Sequence, residues 1–255
     1  MALVAVPLLY QQSGFSEHAG TRPPSRIVSL DLCTDWMLLK YANRSQVLAF
    51  SPLLYRYPVD WVDDDLPVHD GSLEVIMELQ PDLVLTGEYN AIILRKRLQQ
   101  LGMKVDIMEL PDSLQAIQQY TKHFHSVVNN NIPTAITLQQ FEYKKRTLLL
   151  LGANGIGTGT GTLENDVIVK SGWSNYVQQK GYVNLDLEQL VSNPPDAVLW
   201  STPVSNSLAN LFAEHPVLSK LTDKQQLFSS DYWCWQCPGP WTYDLIRELA
   251  EWKKF

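Results

Sequence analysis

Ser72–Leu85 reads SLEVIMELQPDLVL, and Asp186–Leu199 reads DLEQLVSNPPDAVL. The second stretch lies 114 residues after the first, and six of the fourteen positions are identical: Leu73/Leu187, Glu74/Glu188, Pro81/Pro195, Asp82/Asp196, Val84/Val198 and Leu85/Leu199. Each copy opens on a Ser or Asp of the kind that caps a helix N-terminus. A short helix, a Pro-Asp turn and an apolar strand follow. The period exceeds the roughly 20–50 residues of solenoid repeats and points to two similar α/β lobes. Two lobes enclose a cleft, and a cleft is where a ligand sits.

On either side of the first copy the chain alternates strand and helix. Arg26–Leu30, Val47–Phe50, Leu83–Leu85 and Lys104–Met108 read as strands, with helices over Trp36–Ala42, Ala91–Leu101 and Leu114–Phe124. This alternation predicts parallel βαβ units. The second lobe repeats the scheme: strand Thr147–Leu151, helix Leu163–Lys170, the second repeat copy, strand Gln226–Phe228 and helix Thr242–Trp252. The predicted architecture is two Rossmann-like α/β lobes joined by a single connecting helix, with the ligand cleft between them. The expected boundaries are 1–25 leader and linker, 26–125 first lobe, 126–146 connecting helix and 147–255 second lobe. Within the connector, Thr134–Lys145 reads as helix and would span about 18 Å.

The N-terminus is apolar over Ala2–Tyr10, and His18-Ala19-Gly20 has the small residues of a processing site, but no basic stretch precedes the run. A truncated export signal and a plain leader both fit. The chain has 255 residues and a formal net charge of −7, which argues against nucleic acid and anionic lipid as partners.

In α/β sheets ligands meet the loops at the carboxyl ends of the strands. Here those loops carry Tyr55, Tyr57, Tyr89, Tyr232, Trp233, Trp235 and Trp241, with Asp31, Asp35, Glu88 and Asp231, and Arg56 is their one cation. Aromatics and acids without Lys or Arg suit a bulky ligand that is neutral or rich in amides and hydroxyls, and suit an anion poorly. Some of these aromatics are expected to pack inward. Candidate ligand contacts are Asp31, Cys33, Tyr55, Tyr57, Tyr89, Asp231, Tyr232, Trp233, Trp235 and Trp241. Glu74 and Glu188 hold the same position in both lobes. The helix dipole explains either acid alone. Their pairing suits two basic sites on a symmetric partner.

Cys234-Trp235-Gln236-Cys237 has C-x-x-C spacing but lies too near the end of the chain for a thioredoxin-like unit. A local disulfide, a bridge from Cys33 to Cys234 or Cys237, and simple packing all remain open. A Cys33–Cys237 bridge would clamp the lobes. Gly155–Gly161 (GIGTGTG) matches neither G-x-G-x-x-G nor a P-loop and reads as a flexible cleft wall. His123 and His125 are two apart on a helix and face different sides. No metal site, cofactor site or catalytic motif is legible, so no enzyme is expected. The alternative from another class is a Rossmann-like enzyme using the cleft.

RIVSLDLCTD, GSLEVIMELQPDLVLTGEY, GTGTLEND, SGWSNY, LDLEQLVSNPPDAVL, HPVLSKL and YWCWQCPGPW, in this order, resemble the periplasmic substrate-binding proteins of ABC importers for cobalamin and ferric siderophores. The resemblance covers roughly residues 25 to 254. It implies a ligand between two lobes with limited hinge motion. It also implies docking of Glu74 and Glu188 on arginines of a permease dimer in the inner membrane, and work as a periplasmic monomer. Ser230–Trp233 and Tyr57-Pro58 match pocket residues of the cobalamin binders, which favours a corrinoid over a ferric siderophore or haem. The stretch Ser126–Arg146 is shorter than the family's connecting region.

Overall fold

A computed structural model describes residues 22–57, 59–129, 131, 134, 136–142, 145–201, 215–216, 218, 226–229 and 233–252. The first lobe is built from strands β1 (Ile27–Ser29), β2 (Val47–Ala49), β3 (Leu83–Gly87) and β4 (Val105–Met108). Its helices are α1 (Leu32–Tyr41), α2 (Leu73–Leu79), α3 (Ile92–Gln100) and α4 (Leu114–Val128). The strands form one parallel sheet in the order β2-β1-β3-β4. In the second lobe, β5 (Thr147–Leu151), β9 (Ala197–Trp200) and β10 (Gln226–Ser229) are parallel. β6 (Ile156–Thr158) and β8 (Tyr182–Asn184) add an antiparallel edge, and β7 (Ser174–Asn175) pairs with the start of β5. Helices α5 (Leu163–Lys170), α6 (Leu187–Ser192), α7 (Trp233–Gln236) and α8 (Thr242–Glu251) complete the described chain.

Strand periodicity splits the apolar residues between two faces of each sheet. Ile27, Leu83 and Leu85 enter one first-lobe core, while Val28 and Val84 enter the other. In the second lobe Leu148, Leu150, Ala197 and Leu199 face one core, and Leu149, Leu151 and Val198 the other. The repeated Pro-Asp does the same work twice. Asp82 accepts from the backbone N–H of Ser25 (2.8 Å) and Arg26 (3.0 Å), fixing the entry to β1 beside β3. Asp196 accepts from the N–H (2.7 Å) and hydroxyl (3.0 Å) of Thr147, fixing the entry to β5 beside β9.

The connecting helix that the sequence predicts over 126–146 does not form at the described residues beyond Val128. α4 ends at Val128, and the described positions between 131 and 142 are not helical. The stretch opens on Asn129-Asn130-Asn131 and continues with Ile132-Pro133-Thr134. Asn competes for the backbone, Pro removes a donor, and β-branched residues lose χ1 freedom in a helix. α4 itself joins the lobes. Tyr120, Phe124 and Val128 pack into the first-lobe core, and Ile117 packs into the second.

The C-terminal segment also crosses between lobes. Trp233, Cys237 and Trp241 lie in the first-lobe core, whereas Tyr243, Leu245, Ile246 and Leu249 lie in the second. Gly155–Gly161 is no flexible wall. Gly157 packs tightly against the Leu185 and Val177 side chains, and a Cβ on Gly159 would lie 1.8 Å from the Gln179 carbonyl oxygen. Among the described residues, no helix is long and apolar enough to cross a membrane.

Candidate functional site

Loops at the carboxyl ends of β1, β3 and β4 meet beside α4. Asp31 is the N-cap of α1, and its Oδ1 accepts from the N–H of Cys33 (3.0 Å) and Thr34 (3.2 Å). Its Oδ2 accepts from Asn90 Nδ2, tying the loop after β3 to α1. Only 2 % of Asp31 is exposed, so it supports the site from behind and contributes no open ligand contact. Burial raises its pKa, against the lowering effect of the backbone donors. One turn on, Asp35 accepts from the Ser51 N–H (3.0 Å) and hydroxyl (2.6 Å), and burial pushes its carboxyl up to about 7. His69 Nδ1 accepts from the Gly71 N–H (2.9 Å), so Nε2 carries the proton that it donates to the Ser29 carbonyl (2.8 Å). Burial lowers the His69 pKa, consistent with this neutral form.

Between the β3 and β4 loops and α4 lies a cavity of about 660 Å³, within the size range of small-molecule sites. Glu88 and Tyr89 come from the loop after β3, Glu109 and Asp112 from the loop after β4, and Tyr120 and His123 from α4. Tyr89 is 71 % exposed, and its pKa is raised by a hydrogen bond to Glu88 and by that residue's charge. Tyr120 is 7 % exposed, and burial and then the Asp31 charge raise its pKa. His123 Nε2 pairs with Asp106 at 2.7 Å. No Lys or Arg lines the cavity among the described residues.

Of the candidate ligand contacts among the described residues, Tyr89 alone lines this cavity. Tyr55 is braced within its own loop: its hydroxyl accepts from the Leu66 N–H (2.6 Å) and lies 3.2 Å from the carbonyls of Asp63 and Leu66. Tyr57 packs on the first-lobe core. Trp233 and Trp241 are buried at 8 % and 5 % exposure, in a cluster with Trp36 and Trp61 whose ring centroids lie 5.1–6.4 Å apart. They are core residues because the C-terminal segment covers the first lobe. Trp235 packs against the second-lobe core. Cys33 and Cys237 form a disulfide, and Cys234 stands outside it. Asp231 and Tyr232 lie outside the described residues. Glu74 and Glu188 are both exposed, each the second residue of its helix, α2 and α6.

Tyr120, Gln119 and His123 escape a reading of strand-end loops because a helix supplies them. Their signal is spacing. Tyr120 and His123 are three residues apart and so share a face of α4, as does Ala116 one turn earlier.

No family model and no curated protein matches the sequence. Solved structures do. A possible iron-binding periplasmic solute-binding protein of Staphylococcus epidermidis ATCC 12228 is 18% identical, with TM-score 0.68 over 90% of this chain and 98% of that one. The periplasmic haem-binding protein HutB of Vibrio cholerae is 16% identical, with TM-score 0.63 over 90% and 99%. The periplasmic vitamin B12-binding protein BtuF of Vibrio cholerae is 15% identical, with TM-score 0.58 over 90% and 96%. The chain has the two-lobed α/β fold of periplasmic solute-binding proteins.

Proposed function

We propose that the protein is the substrate-binding component of an ABC importer. It captures a large metal chelate, a corrinoid in first place, between its lobes and delivers it to a permease dimer. It works without catalysis, as a monomer in the periplasm. The observation that carries this reading is the likeness of nine-tenths of the chain to proteins whose names state iron, haem or vitamin B12 binding. The cavity beside α4 supports the corrinoid, because acids, Gln119 and two tyrosines suit an amide-rich ligand. Haem is the second reading, favoured by the haem-binding relative.

Glu74 and Glu188 serve docking. Each projects from the first turn of its helix beside a capped N-terminus, Ser72 in one lobe and Asp186 in the other. Two exposed carboxylates at equivalent places match two arginines of a two-fold partner.

Titration of the tryptophan fluorescence with cobalamin, haem and ferric siderophores tests the cargo class. Saturable quenching with recovery of the unchanged chelate is the expected result. A chain that responds to none of them, or that converts one, is not such a carrier.

A further inference from the structure

The loop between β3 and α3 is held from several sides, and its tip is left open. Glu88 donates its N–H to the Met108 carbonyl at the end of β4 (3.1 Å), and Asn90 donates its own to Gly87 (3.3 Å). Arg95 reaches back from α3, and its Nη1 donates to the carbonyls of Gly87 (2.9 Å) and Glu88 (2.8 Å). The buried Thr86 hydroxyl lies 3.3 Å from the Gly87 carbonyl and 3.4 Å from that of Asn90. At the far end of the loop, Asn90 Nδ2 donates to Asp31 Oδ2.

Asp31 is a fixed anchor for that last bond. It is 2 % exposed, and its Oδ1 is taken by the N–H groups of Cys33 and Thr34 at the start of α1. Gly87 lets the carboxylate close onto the loop, because a Cβ there would lie 3.0 Å from Asp31 Cγ. Ala91, next after Asn90, takes φ +48, a conformation that a residue with a Cβ keeps only where its surroundings hold it.

Tyr89 stands between these tethers. It lines the cavity beside α4 and is 71 % exposed. A tyrosine offers a wide contact face for two rotatable bonds. When its backbone is already in place, binding costs little further ordering.

We propose that Asn90 and Arg95 are positioning residues that hold Tyr89 as a pre-formed platform for the cargo. Asn90 acts through Asp31, and Arg95 acts through the Gly87 and Glu88 carbonyls. The Tyr89 ring packs on an apolar face of the bound macrocycle. The role rests on the corrinoid reading above and adds the residues that fix one of its contacts.

Equilibrium dialysis of the full chain with cyanocobalamin tests the role. Tyr89→Ala, Asn90→Ala and Arg95→Met are compared singly, and each tether change is repeated in the Tyr89→Ala background. Tyr89→Ala is expected to weaken binding about tenfold. Asn90→Ala and Arg95→Met should each weaken it about three- to tenfold while Tyr89 is present. In the Tyr89→Ala background each should change it by less than about twofold, because the side chain that they place is gone. The number of sites per chain, read from the same isotherms, separates weaker affinity from loss of folded protein. A tether change that weakens binding by the same factor in both backgrounds is merely structural and overturns the role. Wild-type affinity in any single variant also overturns it, and in both cases the carrier reading stands. A wild-type chain that does not bind cyanocobalamin overturns the corrinoid cargo and the role together.

Discussion

Cys33 and Cys237 are joined by a disulfide across 204 residues of sequence, tying the first turn of α1 to the segment between α7 and α8. Both ends pack against one core, that of the first lobe, so residues that close the chain complete the lobe that opens it. Among the described residues, the lobes are bridged by α4 and by the passage from Trp241 into α8.

Removing the bridge should cost much of the stability. Closing so long a loop is worth about 3–5 kcal/mol through the unfolded state. Cys33→Ala is expected to lower the urea midpoint accordingly, and reductant should do the same to wild type. A midpoint that neither change moves would show that the crossing is held by packing alone.

Asp35 makes stability depend on pH. Its carboxyl stands at about 7 in the folded chain against 3.8 for the ordinary group. The native state therefore keeps a proton that the unfolded chain releases between those values. This contribution is complete below about pH 4 and is lost as pH rises through about 7, with a slope of at most about 1.4 kcal/mol per pH unit. His69, whose pKa is lowered by burial, acts in the opposite sense as pH falls below its ordinary 6.5. The comparison of wild type with Asp35→Asn isolates the acid. Urea midpoints at pH 5, 6, 7 and 8 should show a relative gain for the variant as pH rises, and parallel profiles would rule the proton out.

The two Pro-Asp turns should contribute equally and independently. Asp82→Ala and Asp196→Ala each remove a carboxylate that accepts at least two hydrogen bonds at a strand entry. Each should lose about 1–3 kcal/mol, and the double variant the sum, because the sites share no partner. Chemical denaturation of the three variants checks both statements.

Charge reversal at Glu74 and Glu188 should separate delivery from capture. Glu74→Arg with Glu188→Arg is expected to abolish uptake in cells while leaving chelate affinity within about twofold, because both side chains are exposed and absent from the cavity beside α4. Unchanged uptake would remove the docking role.

Glycines in the GIGTGTG stretch should be intolerant for steric reasons. An added Cβ at Gly159 collides with the Gln179 carbonyl, so Gly159→Ala should cost more than about 4 kcal/mol and reduce soluble yield. Gly102→Ala, at φ +83 with nothing within 4 Å, should cost only about 1–2 kcal/mol. Equal tolerance of the two changes would contradict the packing of β6.

Much of the fold was legible because it is written in local pattern. Leu83 to Leu85 and Ala197 to Leu199 announce buried parallel strands, and Ser72 and Asp186 announce helix starts that the structure places at those residues. Thr134–Lys145 has apolar residues at helix-like spacing, which predicts a helix where the described residues form none. The neighbouring Asn run, Pro133 and β-branched residues outweigh that spacing. Half of the cavity was foreseen as the loops after β3 and β4. The rest was hidden on α4, whose contribution depends on which way the helix is turned.

The sequence alone determined the two α/β lobes, their strand entries and the matched acids Glu74 and Glu188, because these follow from periodicity, capping and the repeat. Only tertiary structure decided that Trp233 and Trp241 are core rather than cargo contacts, that Cys33 pairs with Cys237, and that Tyr120 joins Glu88, Glu109 and Asp112 around one cavity. Those outcomes depend on contacts between residues far apart in the chain. Such contacts are settled by how whole faces pack against each other, and no short stretch encodes that.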